Sequence, residues 1–156
     1  LNQNMVDFKI DDKFDAAICC CDGINYLTNE ETSAFFKRIY HHLSEGSIFI
    51  FDISTKYKYE KMFCDTYVYD DGDIFYVWEN EHLDGGVINI VINFFIKDQN
   101  KYTKISEEQT QYIHTREEIM YLLKEAGFED IEIFDDYNEE ECSNSSLRAV
   151  FTAVKI

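Results

Sequence analysis

The sequence predicts an α/β fold in which a partial parallel sheet is interrupted by an antiparallel β insertion. Two continuous apolar runs, residues 14–21 and 47–54, have the pattern of buried strands in a parallel sheet. Two other segments carry helical hydrophobic stripes that begin at capping-box signatures. Residues 56–112 lose the helical period. From Val87 to Ile96 the apolar residues instead follow a period of two, which is typical of a half-buried antiparallel strand.

The first unit spans residues 14–54 and is predicted to be a strand, a helix and a second strand. We expect the first strand to be an interior strand that is buried on both faces. Thr28 with Glu31 three residues later forms a capping box, and Gly46 is the predicted end of the helix. The helical stripe consists of Phe35, Phe36, Ile39, Tyr40 and Leu43. Such a unit takes a right-handed parallel crossover.

The insertion is predicted to be a meander of three or four strands. Turn residues precede and follow the alternating strand, at residues 84–86 (Asp-Gly-Gly) and 98–100 (Asp-Gln-Asn). They predict hairpins to strands at residues 74–82 and 102–113. The insertion is therefore a β element inserted between the two halves of the α/β core.

The chain returns to α/β structure after the insertion. Thr115 and Glu118 form a second capping box, and Gly127 is the predicted end of that helix. Residues 128–134 and 147–154 are predicted strands. We therefore expect a single partial domain over residues 1–156, with its core half in residues 1–55 and 113–156 and the insertion in residues 56–112.

Composition narrows the class of protein. The 156 residues carry a formal net charge of −17, which opposes binding to nucleic acid or an anionic membrane. No apolar run is long enough to span a bilayer, and no signal peptide is visible, so a cytoplasmic protein is expected. The five cysteines include no CxxC pair and are expected to be reduced. The acidic stretch 129–141 matches no calcium loop, so no metal site is predicted.

Polar residues that follow the two parallel strands are the first candidates for a site. Ligands of open parallel sheets bind beyond the carboxyl ends of the strands. Asp22, Asn25 and Tyr26 follow the first strand, and Asp52 lies at the end of the second. An alternative is that Asp22 and Asn25 only shape the turn and cap the next helix.

The insertion and its junction with the core supply further candidates. His114 lies where the insertion meets the second capped helix, and the alternative is a helix-entry residue in a loop. Trp78 could wall a substrate pocket, or it could only pack in the insertion. No serine lies in a GxSxG elbow, so a hydrolytic triad is not expected.

The order and spacing of these segments resemble a known family. "FDAAICCCDGINYL", a capped helix that ends in "HLSEGSIFIFDIST", then "TREEIMYLLKEAGFEDIEIF" and a final strand together resemble the C-terminal half of class I S-adenosylmethionine-dependent methyltransferases. The resemblance covers essentially the whole chain. It implies a partial Rossmann-like methyltransferase sheet, whose parallel strands are followed by an antiparallel C-terminal strand pair, and an insertion that covers the substrate.

The resemblance also implies roles for individual residues. S-adenosylmethionine is the expected cofactor. Asn4 and Met5 would lie beside its adenine ring, although an Asp is commoner in the first position, and Cys20, Cys21 and Asp22 would flank its methionine portion. The substrate side would include Asn25, Tyr26, Asp52, Trp78 and Tyr112. Asp22 and His114 are the expected catalytic groups, since either could accept a proton from the acceptor.

The sequence departs from the family at its N-terminal end. It contains neither the family's glycine-rich GxGxG turn nor the acidic residue that holds the ribose, so a substantial N-terminal half is expected to be lacking. The first strand would then expose a hydrophobic edge. We expect the chain to pair with a missing N-terminal segment, to form a homodimer through that edge, or to be unstable.

Two classes of function follow. The first is methyl transfer to a small-molecule acceptor, which needs chiefly alignment of the reactants. The second is a non-catalytic binding or assembly module derived from a methyltransferase half-domain, which would hold a protein or an apolar ligand with its aromatic insertion. An α/β hydrolase fragment is a third and more distant alternative.

Overall fold

The computed structural model describes residues 2–156 and shows two four-stranded sheets with three α-helices. The α/β architecture predicted from the sequence is confirmed. The strands are β1 (Phe14–Cys19), β2 (Leu43–Ser54), β3 (Tyr67–Asp70), β4 (Ile74–Leu83), β5 (Val87–Asp98), β6 (Lys101–Tyr112), β7 (Phe128–Asp135) and β8 (Arg148–Lys155). The helices are α1 (Asn29–His42), α2 (Lys56–Met62) and α3 (Arg116–Ala126).

The first sheet has the strand order β1-β2-β8-β7. β1 and β2 are parallel, and α1 connects them. β8 is antiparallel to both β2 and β7. The sheet is therefore built from residues on both sides of the insertion, with parallel strands followed by an antiparallel C-terminal pair, as the resemblance implies.

Both predicted capping boxes are present. The Thr28 hydroxyl accepts from the Glu31 backbone N–H, and Glu31 in turn accepts from the Thr28 N–H at 2.9 Å. Thr115 and Glu118 make the same reciprocal pair at the start of α3. Gly127 ends α3 with a φ of 103°, in the left-handed region that glycine adopts without a steric penalty.

The main core lies between this sheet and the helices α1 and α3. It contains Phe36, Phe49, Phe51 and Phe151, which are at most 1% exposed. The Phe51 and Phe151 rings stack with their centroids 5.0 Å apart, across the β2–β8 pair. Burial of this apolar surface is the main stabilising contribution to such a core.

Three predictions about individual elements are wrong. β1 is not buried on both faces: within residues 2–156 it pairs with β2 alone, at the edge of the sheet, and Ile18 is 68% exposed. This agrees with the expected exposed edge. Gly46 does not end α1, which stops at His42; it lies within β2, with a φ of 78°. The insertion also contains a helix, α2, which starts at a Thr55 cap.

The second sheet is the predicted meander, and it has four strands in the order β3-β4-β5-β6. All neighbouring pairs are antiparallel. A second core, which contains Tyr59 of α2 with Ile88, Ile90 and Ile92 of β5, lies on one face of this sheet. The same face of β6 reaches the first sheet, and this contact forms the candidate site.

Candidate active site

The candidate site lies at the carboxyl ends of β1 and β2. Because these strands are parallel, their ends meet at one edge of the sheet. After β1 the chain passes through Cys21 and Asp22 with φ values of 63° and 49°, which is unusual for residues other than glycine. A 3-10 helix over Gly23–Tyr26 follows. The turn thereby brings Asp22 and Tyr26 to the sheet edge.

Asp52 holds this turn in place. Its buried carboxylate accepts from the Asp22 backbone N–H at 2.9 Å and from the Tyr137 hydroxyl at 3.0 Å, and it forms an ion pair with Arg148. The ion pair continues to the exposed Asp136. The structure thus places Asp52, predicted to bind substrate, as an anchor for the turn.

β6 brings two glutamines to the same edge. Gln111 is 3% exposed, and its Nε2 donates to the Asp22 carboxylate at 3.2 Å. Gln109 lies two residues earlier, on the same face of β6, and accepts from the Tyr26 hydroxyl at 2.9 Å. Sequence reasoning missed both glutamines. The signal that could have found them is their position on one face of a strand predicted to cover the site.

The phenols at this edge remain protonated at neutral pH. Burial raises the pKa of Tyr26 above its ordinary value of 10.0, and the nearby Asp22 and Glu107 carboxylates raise it further. Burial also raises the pKa of Tyr59, whose hydroxyl donates to Gln111 at 2.9 Å. Neither tyrosine is therefore suited to act as a base at neutral pH.

The three adjacent cysteines have different environments. Burial raises the pKa of the half-buried Cys19 to about 11, so this thiol is protonated. Cys20 and Cys21 are exposed at the sheet edge, although they belong to the apolar run 14–21 that predicts a buried strand. Their predicted place beside a cofactor remains a prediction.

Asn25 connects three elements and is fully buried. Its Oδ1 accepts from the Ser54 N–H at 2.8 Å, and its Nδ2 donates to the carbonyls of Ser54 and Tyr112 at 3.3 and 2.9 Å. Tyr112 takes part through its backbone, and its side chain points to the face of β6 opposite Gln111. Asn25 and Tyr112 therefore join the insertion to the core, and their side chains do not line the edge with Asp22.

Trp78, Asn4 and Met5 lie outside the group around Asp22. Trp78 Nε1 donates to Asn80 at 2.7 Å, and the ring packs against the second core. Asn4 is exposed and accepts from the Val6 N–H at 2.9 Å, while Met5 packs against the main core. Their predicted roles beside a substrate and an adenine ring remain predictions.

His114 is a buried residue held by two neighbours. Its Nε2 lies 3.0 Å from the Leu27 carbonyl, and its Nδ1 lies 3.0 Å from the Asn29 side chain. The carbonyl can only accept, so Nε2 carries the proton. Burial lowers the pKa of His114 below its ordinary value of 6.5. The imidazole is thus engaged in packing at the insertion junction, away from the groups that contact Asp22.

This burial predicts a pH dependence of stability. Below pH 6.5 the unfolded chain protonates His114 more readily than the folded one, so the contribution is complete above that pH and is lost as the pH falls. We expect the free energy of unfolding, measured by urea denaturation, to decrease from pH 7.5 to pH 5.5. The decrease should be smaller in His114→Gln and unchanged in His82→Gln, whose side chain is exposed. Equal pH dependence in all three proteins would contradict the assignment.

Metal-ligand clusters and membrane-spanning helices were both sought in the part of the chain that the structure describes. Residues 2–156 contain no group of three or more His, Cys, Asp or Glu side chains suited to a metal ion. Within the same residues, no helix has the length and apolar character that a membrane span requires.

The chain is similar in sequence to two bacterial proteins that are provisionally named methyltransferases. It is 32% identical over 157 residues to the one from Geobacillus and 30% identical over 160 residues to YqeM from Bacillus subtilis. The matches cover 98% and 99% of this chain, which spans 64% of the length of each relative. No protein-family model matches the chain.

Solved structures share the fold. A S-adenosylmethionine-dependent methyltransferase from Clostridium acetobutylicum matches with a TM-score of 0.91 at 30% identity, over 98% of this chain and 63% of that one. The sugar N-methyltransferase KedS8 from Streptoalloteichus shares the fold alone, with a TM-score of 0.76 at 19% identity over 98% of this chain and 60% of that one. The predicted resemblance to S-adenosylmethionine-dependent methyltransferases is thus confirmed as a similarity in sequence and in fold over this chain.

Proposed function

We propose that the chain provides the acceptor side of a S-adenosylmethionine-dependent methyltransferase that acts on a small molecule. The observation that carries this proposal is the position of Asp22 at the carboxyl edge of β1, under the glutamines of β6. The net charge of −17 argues against a nucleic-acid acceptor. Similarity to methyltransferases over almost the whole chain supports the same class of reaction.

The residues at this edge fit the charged portion of S-adenosylmethionine. The sulfonium and the amino group of that cofactor are cations, and the half-buried Asp22 carboxylate is an anion at the turn. Cys20, Cys21 and Asp22 would hold this portion, and Asn4 and Met5 would lie beside the adenine. When bound, the cofactor supplies a methyl group that is activated by the positive sulfur.

The chain itself contributes alignment of the two reactants. Asp52 fixes the backbone of Asp22, and Asn25 fixes the insertion against the core, so the two walls of the site keep their spacing. Near-attack alignment alone removes several kcal/mol of the barrier of a two-reactant step. Asp22 is the group at this edge that could take up a proton from the acceptor.

The neutral variant Asp22→Asn tests the proposal. Loss of a charge-assisted contact should weaken binding of S-adenosylmethionine by about 10-fold to 100-fold. Isothermal titration measures this affinity, and mass spectrometry of acceptors measures the methyl transfer that should fall with it. Asp15→Asn is the matched control, since Asp15 is exposed near the opposite end of β1. Equal affinities of the two variants would contradict the proposal.

A further inference from the structure

Two hydrogen-bonded relays lie on the face of β6 that is turned to the site. The inner relay is Tyr59, Gln111 and Asp22: the Tyr59 hydroxyl donates to Gln111 Oε1 at 2.9 Å, and Gln111 Nε2 donates to the Asp22 carboxylate at 3.2 Å. It is buried at Tyr59 and Gln111. The inner relay therefore joins a tyrosine to a carboxylate through a glutamine.

The outer relay repeats the arrangement one step further from the core. It consists of Tyr26, Gln109 and Glu107, in which the Tyr26 hydroxyl donates to Gln109 Oε1 at 2.9 Å and Gln109 Nε2 donates to Glu107. Alternation along β6 places Glu107, Gln109 and Gln111 on one face.

The carboxylates fix the direction of both relays. An ionised carboxylate only accepts hydrogen bonds, so each glutamine must present its side-chain amide NH2 to the carboxylate. The glutamine oxygen then faces the tyrosine, and the single phenolic proton is committed to that oxygen. As a result, the oxygens of Tyr26, Asp22 and Glu107 offer lone pairs and no proton to a bound molecule.

Exposure and charge indicate which kind of molecule would bind to these three oxygens. Tyr26 is 42% exposed, so this surface is open to a bound molecule. Asp22 and Glu107 give this surface negative charge. Two cations on neighbouring elements are engaged elsewhere, because Lys58 donates to Ser54 at 2.9 Å and Arg148 pairs with Asp52. A partner group at this surface must therefore donate hydrogen bonds and tolerate or carry positive charge.

We propose that the methyl acceptor is an amine, recognised through its N–H groups by Tyr26, Asp22 and Glu107. This inference rests on the proposed function. A carboxylate or phosphate acceptor would meet like charge and no donor here. An alcohol must lose its proton to become a good nucleophile, and carboxylates beside its oxygen disfavour that negative charge, whereas a neutral amine attacks with its own lone pair and develops positive charge.

The charge changes of the transfer match the surface. The amine nitrogen forms a bond to the methyl carbon with its lone pair, while the carbon–sulfur bond breaks and its electrons stay on sulfur. The positive charge passes from the sulfonium to nitrogen, and the resulting N-methylammonium then releases a proton, which Asp22 accepts and passes to water. The carboxylates of both relays stabilise the cation that forms on the acceptor.

A defined set of acceptors tests the proposal in the wild-type protein. Primary and secondary alkyl and benzyl amines are incubated with methyl-labelled S-adenosylmethionine beside the alcohols, phenols and carboxylates of the same carbon skeletons. We expect methylation on nitrogen to exceed methylation on oxygen by at least about 10-fold, the ratio that one charge-assisted contact supplies. Faster methylation of an alcohol, a phenol or a carboxylate would overturn the proposal.

Variants of the outer relay link this selectivity to its residues. Glu107→Gln should lower kcat/KM for the amine by about 10-fold, with unchanged affinity for S-adenosylmethionine. Tyr26→Phe should raise KM for the amine. Glu108→Gln is the control, because the neighbouring Glu108 points to the opposite face of β6.

The outcomes separate the two proposals. Failure of the wild-type protein to bind S-adenosylmethionine would contradict the proposed function itself. Binding of S-adenosylmethionine without methylation of any amine in the set, or an unchanged kcat/KM in Glu107→Gln, would contradict the amine acceptor alone.

Discussion

Asp52→Ala is expected to lower the free energy of unfolding by about 2–4 kcal/mol, because it removes a buried acceptor of several hydrogen bonds and leaves the Arg148 guanidinium with the exposed Asp136. The Asp22 N–H and the Tyr137 hydroxyl also lose their acceptor. Urea denaturation at neutral pH measures the loss. The same variant should release the left-handed turn at Cys21 and Asp22, and so weaken any ligand bound there.

Asp136→Ala is the matched control for Asp52→Ala. Asp136 contacts the same arginine at 3.4 Å, but its side chain is 61% exposed. An exposed ion pair contributes about 1 kcal/mol or less. Equal losses in the two variants would show that burial of Asp52 is not the source of the stabilisation.

Asn25→Ala is expected to cost about 2–4 kcal/mol, since it leaves the buried Ser54 N–H and the Tyr112 carbonyl without a partner. Because Asn25 joins the core to the end of β6, the insertion should also be cleaved faster in limited proteolysis. The combined readout separates loss of docking from a general loss of stability.

The exposed Asn138 supplies the control for Asn25→Ala. Its side chain accepts from the nearby Glu140 N–H and connects no distant elements among the described residues. We expect Asn138→Ala to cost about 1 kcal/mol or less and to leave the proteolysis of β4, β5 and β6 unchanged. Cleavage of the insertion at the wild-type rate in Asn25→Ala would contradict the role given to Asn25.

Local patterns predicted most of the fold. The capping boxes at Thr28 and Thr115, the stop at Gly127 and the alternation in β5 each depend on residues within a few positions of one another. Such signals are present in a single sequence. The resemblance supplied the arrangement of parallel strands followed by an antiparallel C-terminal pair, which no local pattern contains.

Features that depend on distant neighbours were not predictable in the same way. β1 has the composition of an interior strand, but its exposure is decided by how many strands pair with it. α2 has only seven residues, too few for a clear helical period. Gln111 meets Asp22 across 89 positions of sequence, so its role follows only from the folding of the meander onto the core.

The candidate residues show the same difference between local patterns and distant contacts. Asp22 and Tyr26 are where strand-end reasoning predicts a site, because the sheet alone determines that edge. Places at strand ends and at the insertion junction also predict site roles for Asp52, Asn25 and His114, yet the hydrogen bonds of these residues are internal. Whether a polar residue faces a ligand or another element depends on its partners, which the sequence does not specify.

The proposed binding of S-adenosylmethionine at the carboxyl edge of β1 is tested most directly by an NMR titration of the ¹⁵N-labelled protein with this cofactor, after circular dichroism has verified that the protein is folded. We expect saturable shifts that are largest at the backbone amides of Cys21 and Asp22, with smaller shifts at Gln109 and Gln111 in β6. Shifts confined to other parts of the chain, or no shifts in a folded protein, would contradict it.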